Sequence, residues 1–311
     1  MRRWEWICGL PEHEAVGTMT MELPLVVGVD GSDGSLLAVD WAVDEAARHG
    51  LPLRLVHGSL WERYEDLTPS DGPDRPTAQV MAGHIVASAA ERAGRRNPDV
   101  KVSTDVLLDD GADALLHAGN NATALITGSQ GRSELQGLLL GSVGLAVAAR
   151  AHCPVVVVRG DQAGLAGTHE RILLGAGYPD TSEEAARFAF REAEARGCVL
   201  DVIRTWRRPA HETTGAAAPA ESPDRDHEER ARAELDGLLR EVTAEYPGVR
   251  VHRTTVEGPA RKVLVHRSAA ADLVILGARR RQGHFGLQLG RVAHTLLHHA
   301  GCPVAVVPQR V

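Results

Sequence analysis

Short unbroken runs of Val, Leu and Ile punctuate this chain, among them Leu25-Val26-Val27 and Val155-Val156-Val157-Val158. Such runs read as strands buried on both faces, and the longer segments between them read as helices. In the first half the pattern predicts strands over about 25–30, 53–58, 100–107, 123–128 and 154–158. The helices between them fall over about 33–49, 77–96, 111–119 and 141–151. In the second half strands are predicted over about 171–176, 198–204, 249–256, 272–277 and 303–307. Its helices fall over about 181–196, 225–245, 259–269 and 290–300. Doubly apolar strands alternating with helices predict an α/β fold, a parallel sheet flanked by helices in each half.

The two halves are copies. Leu25-Val26-Val27-Gly28-Val29-Asp30 returns as Ile172-Leu173-Leu174-Gly175-Ala176-Gly177. Ala124 to Gly128 returns as Leu273 to Gly277, and Cys153-Pro154-Val155 returns as Cys302-Pro303-Val304. Three blocks repeated in order mark a tandem array. The seam is the Gly-rich stretch 161–170, read as a flexible linker between a first domain at 23–160 and a second at 171–311. Residues 1–22 read as an N-terminal extension, with Met19 and Met21 leaving a later natural start open. The stretches 62–76 and 207–224 read as long loops in matching places.

Composition narrows the function. The 311 residues suit two domains of ordinary size, and a net charge of −7 argues against a general nucleic-acid binder. No apolar run approaches the roughly 20 residues that span a bilayer. Four cysteines without a Cys-x-x-Cys pair read as reduced thiols in a cytoplasm.

The candidate chemistry lies between a strand and a helix. Gly128-Ser129-Gln130-Gly131 follows the apolar run Ala124-Leu125-Ile126-Thr127, and Gly141-Ser142 opens the helix beginning with Val143. Glycines let main-chain amides approach an anion, and a helix start adds unpaired N–H groups and a positive dipole end. The loop follows the fourth strand, so neither a dinucleotide fingerprint after strand one nor a Gly-Lys-Ser/Thr P-loop is present. An acid after strand one, Asp30, would complete the site at the carboxyl ends of the strands.

These residues resemble the universal stress proteins in their tandem form. Copy one carries that family's Gly-x2-Gly-x9-Gly-Ser pattern in full at Gly128, Gly131, Gly141 and Ser142, beside Val-Gly-Val-Asp-Gly-Ser at 27–32 and Cys-Pro-Val-Val-Val-Val at 153–158. The resemblance implies two tandem Rossmann-like domains, each a five-stranded parallel sheet, paired antiparallel through their last strands. It implies an adenine nucleotide, ATP or else ADP or a relative, with Mg accompanying ATP. Asp30 would contact the adenosine, while Gly128, Gly131, Gly141, Ser142 and the Val143 backbone would hold phosphates. It further implies a cytoplasmic stress regulator with an unidentified protein partner and no membrane or nucleic-acid role, with a homodimer left open. A slow ATPase and a nucleotide-free scaffold stand as alternatives.

Copy two departs from that pattern. Arg280 replaces the second glycine, Arg291 replaces the serine and Gly177 stands where Asp30 would be. A side chain at 280 crowds the approach to a phosphate, so the second copy is expected not to bind ATP in the same way. Whether Arg279, Arg280, Arg281 and Arg291 hold an anion by their side chains is left open. His294 and His298 lie four apart on a helix without the Glu of a His-Glu-x-x-His motif, so a helix-surface role is expected. No catalytic triad and no metal site is expected.

Overall fold

A computed structural model describes residues 22–60, 75–129, 141–178, 182–208, 223–278 and 289–309. The first half runs β1 (Leu25–Gly28), α1 (Asp33–His49), β2 (Leu53–Gly58), α2 (Arg75–Arg96), β3 (Val102–Leu107), α3 (Gly111–Gly119), β4 (Ala124–Gly128), α4 (Ser142–Arg150) and β5 (Val155–Val158). A short helix, α5 (Gln162–Ala166), leads into the second half. There follow β6 (Arg171–Ala176), α6 (Glu183–Arg196), β7 (Val199–Trp206), α7 (Pro223–Glu245), β8 (Arg250–Glu257), α8 (Ala260–Ser268), β9 (Leu273–Ala278), α9 (Arg291–His299) and β10 (Val304–Pro308).

Local chemistry sets these boundaries. Ser32 caps α1 by accepting from the Ser35 amide, and Gly50 ends that helix in the left-handed region at φ 67°. Asp110 caps α3 by accepting from the Ala112 and Asp113 amides. Those contacts, the Asp113 amide first, hold the Asp110 carboxyl below its ordinary range.

All strands join one ten-stranded sheet in the order β3-β2-β1-β4-β5-β10-β9-β6-β7-β8. Each half is a parallel Rossmann-like unit, and the two meet where β5 runs antiparallel to β10. Val155 faces Val306, Val156 faces Ala305 and Val157 faces Val304, so a pseudo-two-fold axis passes through the Val156–Ala305 pair. The pairing covers two apolar strand edges that would otherwise be exposed to other chains.

Alternate strand residues feed two cores, one on each face. One core joins Val27, Ile126 and Val156 to Trp41 of α1 and Phe190 of α6. The other joins Val26, Leu125 and Val155 to Leu115 of α3 and Leu296 of α9. Both cores run across the two halves without a break. Cys153, Cys198 and Cys302 are buried thiols outside any disulfide, and burial pushes the Cys302 thiol up to about 12. Cys8 lies outside the described residues.

The seam carries the short helix α5. Asp161 caps α5 by accepting from the Gly164 amide, and its own amide donates to the Gly301 carbonyl at 3.0 Å. A Cβ at Gly160, where φ is 107°, would stand 2.2 Å from that same carbonyl oxygen. The glycines here allow close packing against the turn before β10. Among the described residues no helix is long and apolar enough to cross a membrane.

Candidate functional site

In each half the strand order reverses beside the first strand. β1 lies between β2 and β4, and β6 lies between β7 and β9. Chains leave β1 and β4 toward opposite faces there, which opens a crevice at the carboxyl ends.

In the first half the crevice is a cavity of about 240 Å³. It is lined by Asp30, Gly128, Gly141, Ser142 and Val143, five of the six residues the sequence singles out. The sixth, Gly131, lies outside the described residues, as do Gln130 and Arg279 to Arg281.

Asp30 is held by an Asx turn. Its Oδ1 accepts from the Ser32 amide at 3.0 Å and from the Ser32 hydroxyl at 2.5 Å. Gly31 makes the turn at φ 80°, a conformation that strains any side chain with a Cβ. The carboxylate is thereby fixed at the wall of the cavity, against the Ser32 cap of α1.

The other wall is the start of α4. Gly141 precedes it without a side-chain cap, and the first helical bond runs from the Leu145 amide to the Gly141 carbonyl at 3.2 Å. The amides of Ser142, Val143 and Gly144 therefore have no acceptor within the helix. Gly141 is tied to β4, since its amide donates to the Ser129 carbonyl at 2.9 Å. This bond fixes the helix start against the strand end, with its dipole facing the cavity.

Gly128 has a packing reason of its own. A Cβ there would stand 2.4 Å from the Gly34 carbonyl oxygen. The first turn of α1 crosses β4 at this point, so the helix alone requires glycine here.

Two residues escaped the sequence reading. Thr127 is 4% exposed, lines the cavity, and its hydroxyl has no hydrogen-bond partner among the described residues. A buried hydroxyl left unpaired costs about 1–3 kcal/mol, so it marks a place where a ligand or water belongs. The signal was one polar residue closing an apolar strand, where copy two has Leu276. His57 also lines the cavity, with Nδ1 2.7 Å from the Val29 carbonyl. A carbonyl only accepts, so Nδ1 carries a proton.

The second half is built on the same plan with different groups. The Gly177 amide donates to the Ser182 hydroxyl at 2.7 Å, as the Asp30 amide does to Ser35 at 3.4 Å. Gly177 thus stands at the Asp30 position and supplies no carboxylate. Arg204 stands at the His57 position and donates to the Ala176 carbonyl at 3.4 Å, as His57 does to Val29. Arg291 opens α9 where Ser142 opens α4. The His294 and His298 rings lie tilted with centroids 4.6 Å apart on α9, and burial with the neighbouring His294 lowers the His298 pKa.

Two doubly wound units in tandem, each with an uncapped helix start at its switch point, define the class. The chain belongs to the universal stress protein family, which matches residues 23–159 and 168–308. A universal stress protein of Mycobacterium tuberculosis is 32% identical over 300 residues, covering 92% of this chain and 97% of the relative. One from Mycolicibacterium smegmatis is 31% identical over 296 residues, covering 93% and 98%. A universal stress protein structure from Archaeoglobus fulgidus superposes with a TM-score of 0.69 at 18% identity, covering 92% and 98%.

Proposed function

We propose that the first half binds an adenine nucleotide, ATP, and that occupancy makes the chain a nucleotide-dependent stress regulator in the cytoplasm. The observation that carries this reading is the convergence on one cavity of three kinds of group. The unpaired amides of Ser142 and Val143 suit phosphate oxygens, while the Asp30 carboxylate suits a ribose hydroxyl or a base amine. The orphan Thr127 hydroxyl supplies a further polar contact at the buried end.

Gly128, Gly131 and Gly141 would let the backbone close on the phosphates, with Mg accompanying ATP. The second half would not hold ATP in this way. Gly177 offers no acceptor, Leu276 no hydroxyl, and Arg291 puts a cation at a helix start, where the dipole disfavours it. The second half then serves as scaffold, and a protein partner reads the occupied surface of the first.

Titration of ATP into nucleotide-free protein tests the reading. Binding should saturate, and Asp30→Ala should weaken it about tenfold, the loss of one charge-assisted hydrogen bond. Unchanged affinity in Asp30→Ala would remove the carboxylate from the site. No binding at all would favour an interaction scaffold. Steady phosphate release lost in Ser142→Ala would instead favour a slow ATPase.

A further inference from the structure

The crevice of the second half has become a larger cavity of about 680 Å³, bounded by the ends of β6, β7 and β8 and by α7. Five arginines line it: Arg204, Arg207, Arg230, Arg261 and Arg291. They come from β7, the turn after it, α7, α8 and α9, so they are far apart in sequence and meet only through the fold. Glu234 is the one carboxylate among the described lining residues, and it is engaged by Arg204. Arg207, Arg230, Arg261 and Arg291 have no ion-pair partner among the described residues. On a chain of net charge −7, four such guanidinium groups around one concavity form a local anion trap.

Arg204 gives a second, independent pointer. It is 9% exposed, donates to Ala176 and Glu234, and its guanidinium lies 4.8 Å from the Tyr178 ring centroid. Its Nε is buried without a hydrogen-bond partner among the described residues. A buried charged donor left unpaired is costly unless something completes it. α8 and α9 both begin at this cavity without a side-chain cap, which adds unpaired amides to its wall.

We propose that this cavity is a second ligand site, for a small molecule that bears at least two phosphoryl groups and carries no adenosine, since Gly177 and Leu276 leave the crevice without the carboxylate and hydroxyl of the first half. Guanidinium forks match phosphoryl oxygens in pairs, and four unpaired ones call for more charge than a single carboxylate brings. The binding differs in kind from that of the first half. Anion recognition there rests on main-chain amides, whereas here side chains carry it, with Trp206 at the wall. The proposal is independent of whether the first half holds ATP.

Inorganic tripolyphosphate, titrated calorimetrically into the full chain, is the probe. Arg230 and Arg261 are exposed, so the double variant Arg230→Glu/Arg261→Glu should keep the fold, checked by circular dichroism. It should weaken tripolyphosphate at least about tenfold. Ser142→Glu, which puts a negative charge at the first cavity and so removes any binding there, should leave the component that depends on Arg230 and Arg261 unchanged. A control reversal at two exposed arginines outside the cavity, Arg240→Glu/Arg250→Glu, should also leave it within about twofold. The tryptophan fluorescence change on binding should vanish in Trp206→Phe. The proposal is overturned by absence of binding, by loss in Ser142→Glu alone, or by equal loss in the control. A fluorescence change that survives Trp206→Phe, or citrate binding more tightly than tripolyphosphate, also overturns it.

Discussion

Arg196 of α6 donates to the Glu45 carboxylate of α1 at 2.6 Å, so the two halves share a buried ion pair. The pair is one arm of a pseudo-symmetric arrangement. Glu45 and Glu192 occupy equivalent positions in the two copies, as do His49 and Arg196. On the other arm His49 lies 3.3 Å from Glu192. The Arg196 guanidinium also lies 5.6 Å from the Trp41 ring centroid.

Removing one member of this network leaves the others buried and unmatched. Arg196→Met should destabilise the chain by about 3–5 kcal/mol, the usual cost of orphaning a buried charge. Chemical denaturation read by far-ultraviolet circular dichroism measures it. A loss below about 1 kcal/mol would mean the pair behaves as an exposed one.

The same cluster makes stability depend on pH. Hydrogen bonds to Glu192 and Glu45 raise the His49 pKa from 6.5 to about 9. Burial and the neighbouring Glu45 charge raise that of Glu192. Burial pushes Glu45 up, but Arg196, Glu192, His49 and Arg48 outweigh it and hold that carboxyl well below the carboxylate range. His49 keeps its proton in the folded state where the unfolded chain releases it. Its stabilisation is therefore complete below pH 6.5 and lost as pH rises through about 9. Glu192 adds a loss of the same sign above the ordinary carboxylate pKa. Melting temperature should fall between pH 6.5 and 9, and His49→Gln should flatten that slope. A flat wild-type profile would contradict the assignment.

Thr127→Val should act with opposite signs on stability and binding. Deleting the orphan hydroxyl should stabilise the nucleotide-free chain by about 1 kcal/mol. It should also weaken ATP. Thermal melts with and without ATP give both readings, and a destabilised nucleotide-free variant would show that the hydroxyl is already satisfied.

Gly128→Ala forces a methyl group against the Gly34 carbonyl. The expected cost is about 1–3 kcal/mol, from overpacking where α1 crosses β4. Urea denaturation without nucleotide checks this. Full stability with lost ATP binding would assign the glycine to the ligand alone.

Much of the fold was written in local pattern. The apolar runs mark β1, β4, β5 and their counterparts because those central strands are buried on both faces. Repeated blocks such as Cys153-Pro154 and Cys302-Pro303 reveal the tandem plan and, through the resemblance, the β5–β10 pairing. Helix α5 was missed because its order comes from Gly160 and Gly164 packing on Gly301 and Cys302, which composition does not encode. Asp30 and the Gly141-Ser142 helix start were legible because turn chemistry is local. Thr127 and His57 were not, since only the placing of the β2 and β4 ends on either side of β1 gives them a shared cavity. Glu45 and Arg196 look like surface charges on their helices, and a pseudo-two-fold axis buries them. The arginines of the second cavity come from separate elements and carry no motif.

The central claim is an asymmetry: one half keeps a nucleotide cradle and the other does not. It is tested most directly by saturating the purified full chain with ATP, removing the excess, denaturing it and counting released adenine nucleotide by chromatography. The account predicts one nucleotide per chain. Two per chain would contradict the loss of the site in the second half, and none would contradict the cradle in the first.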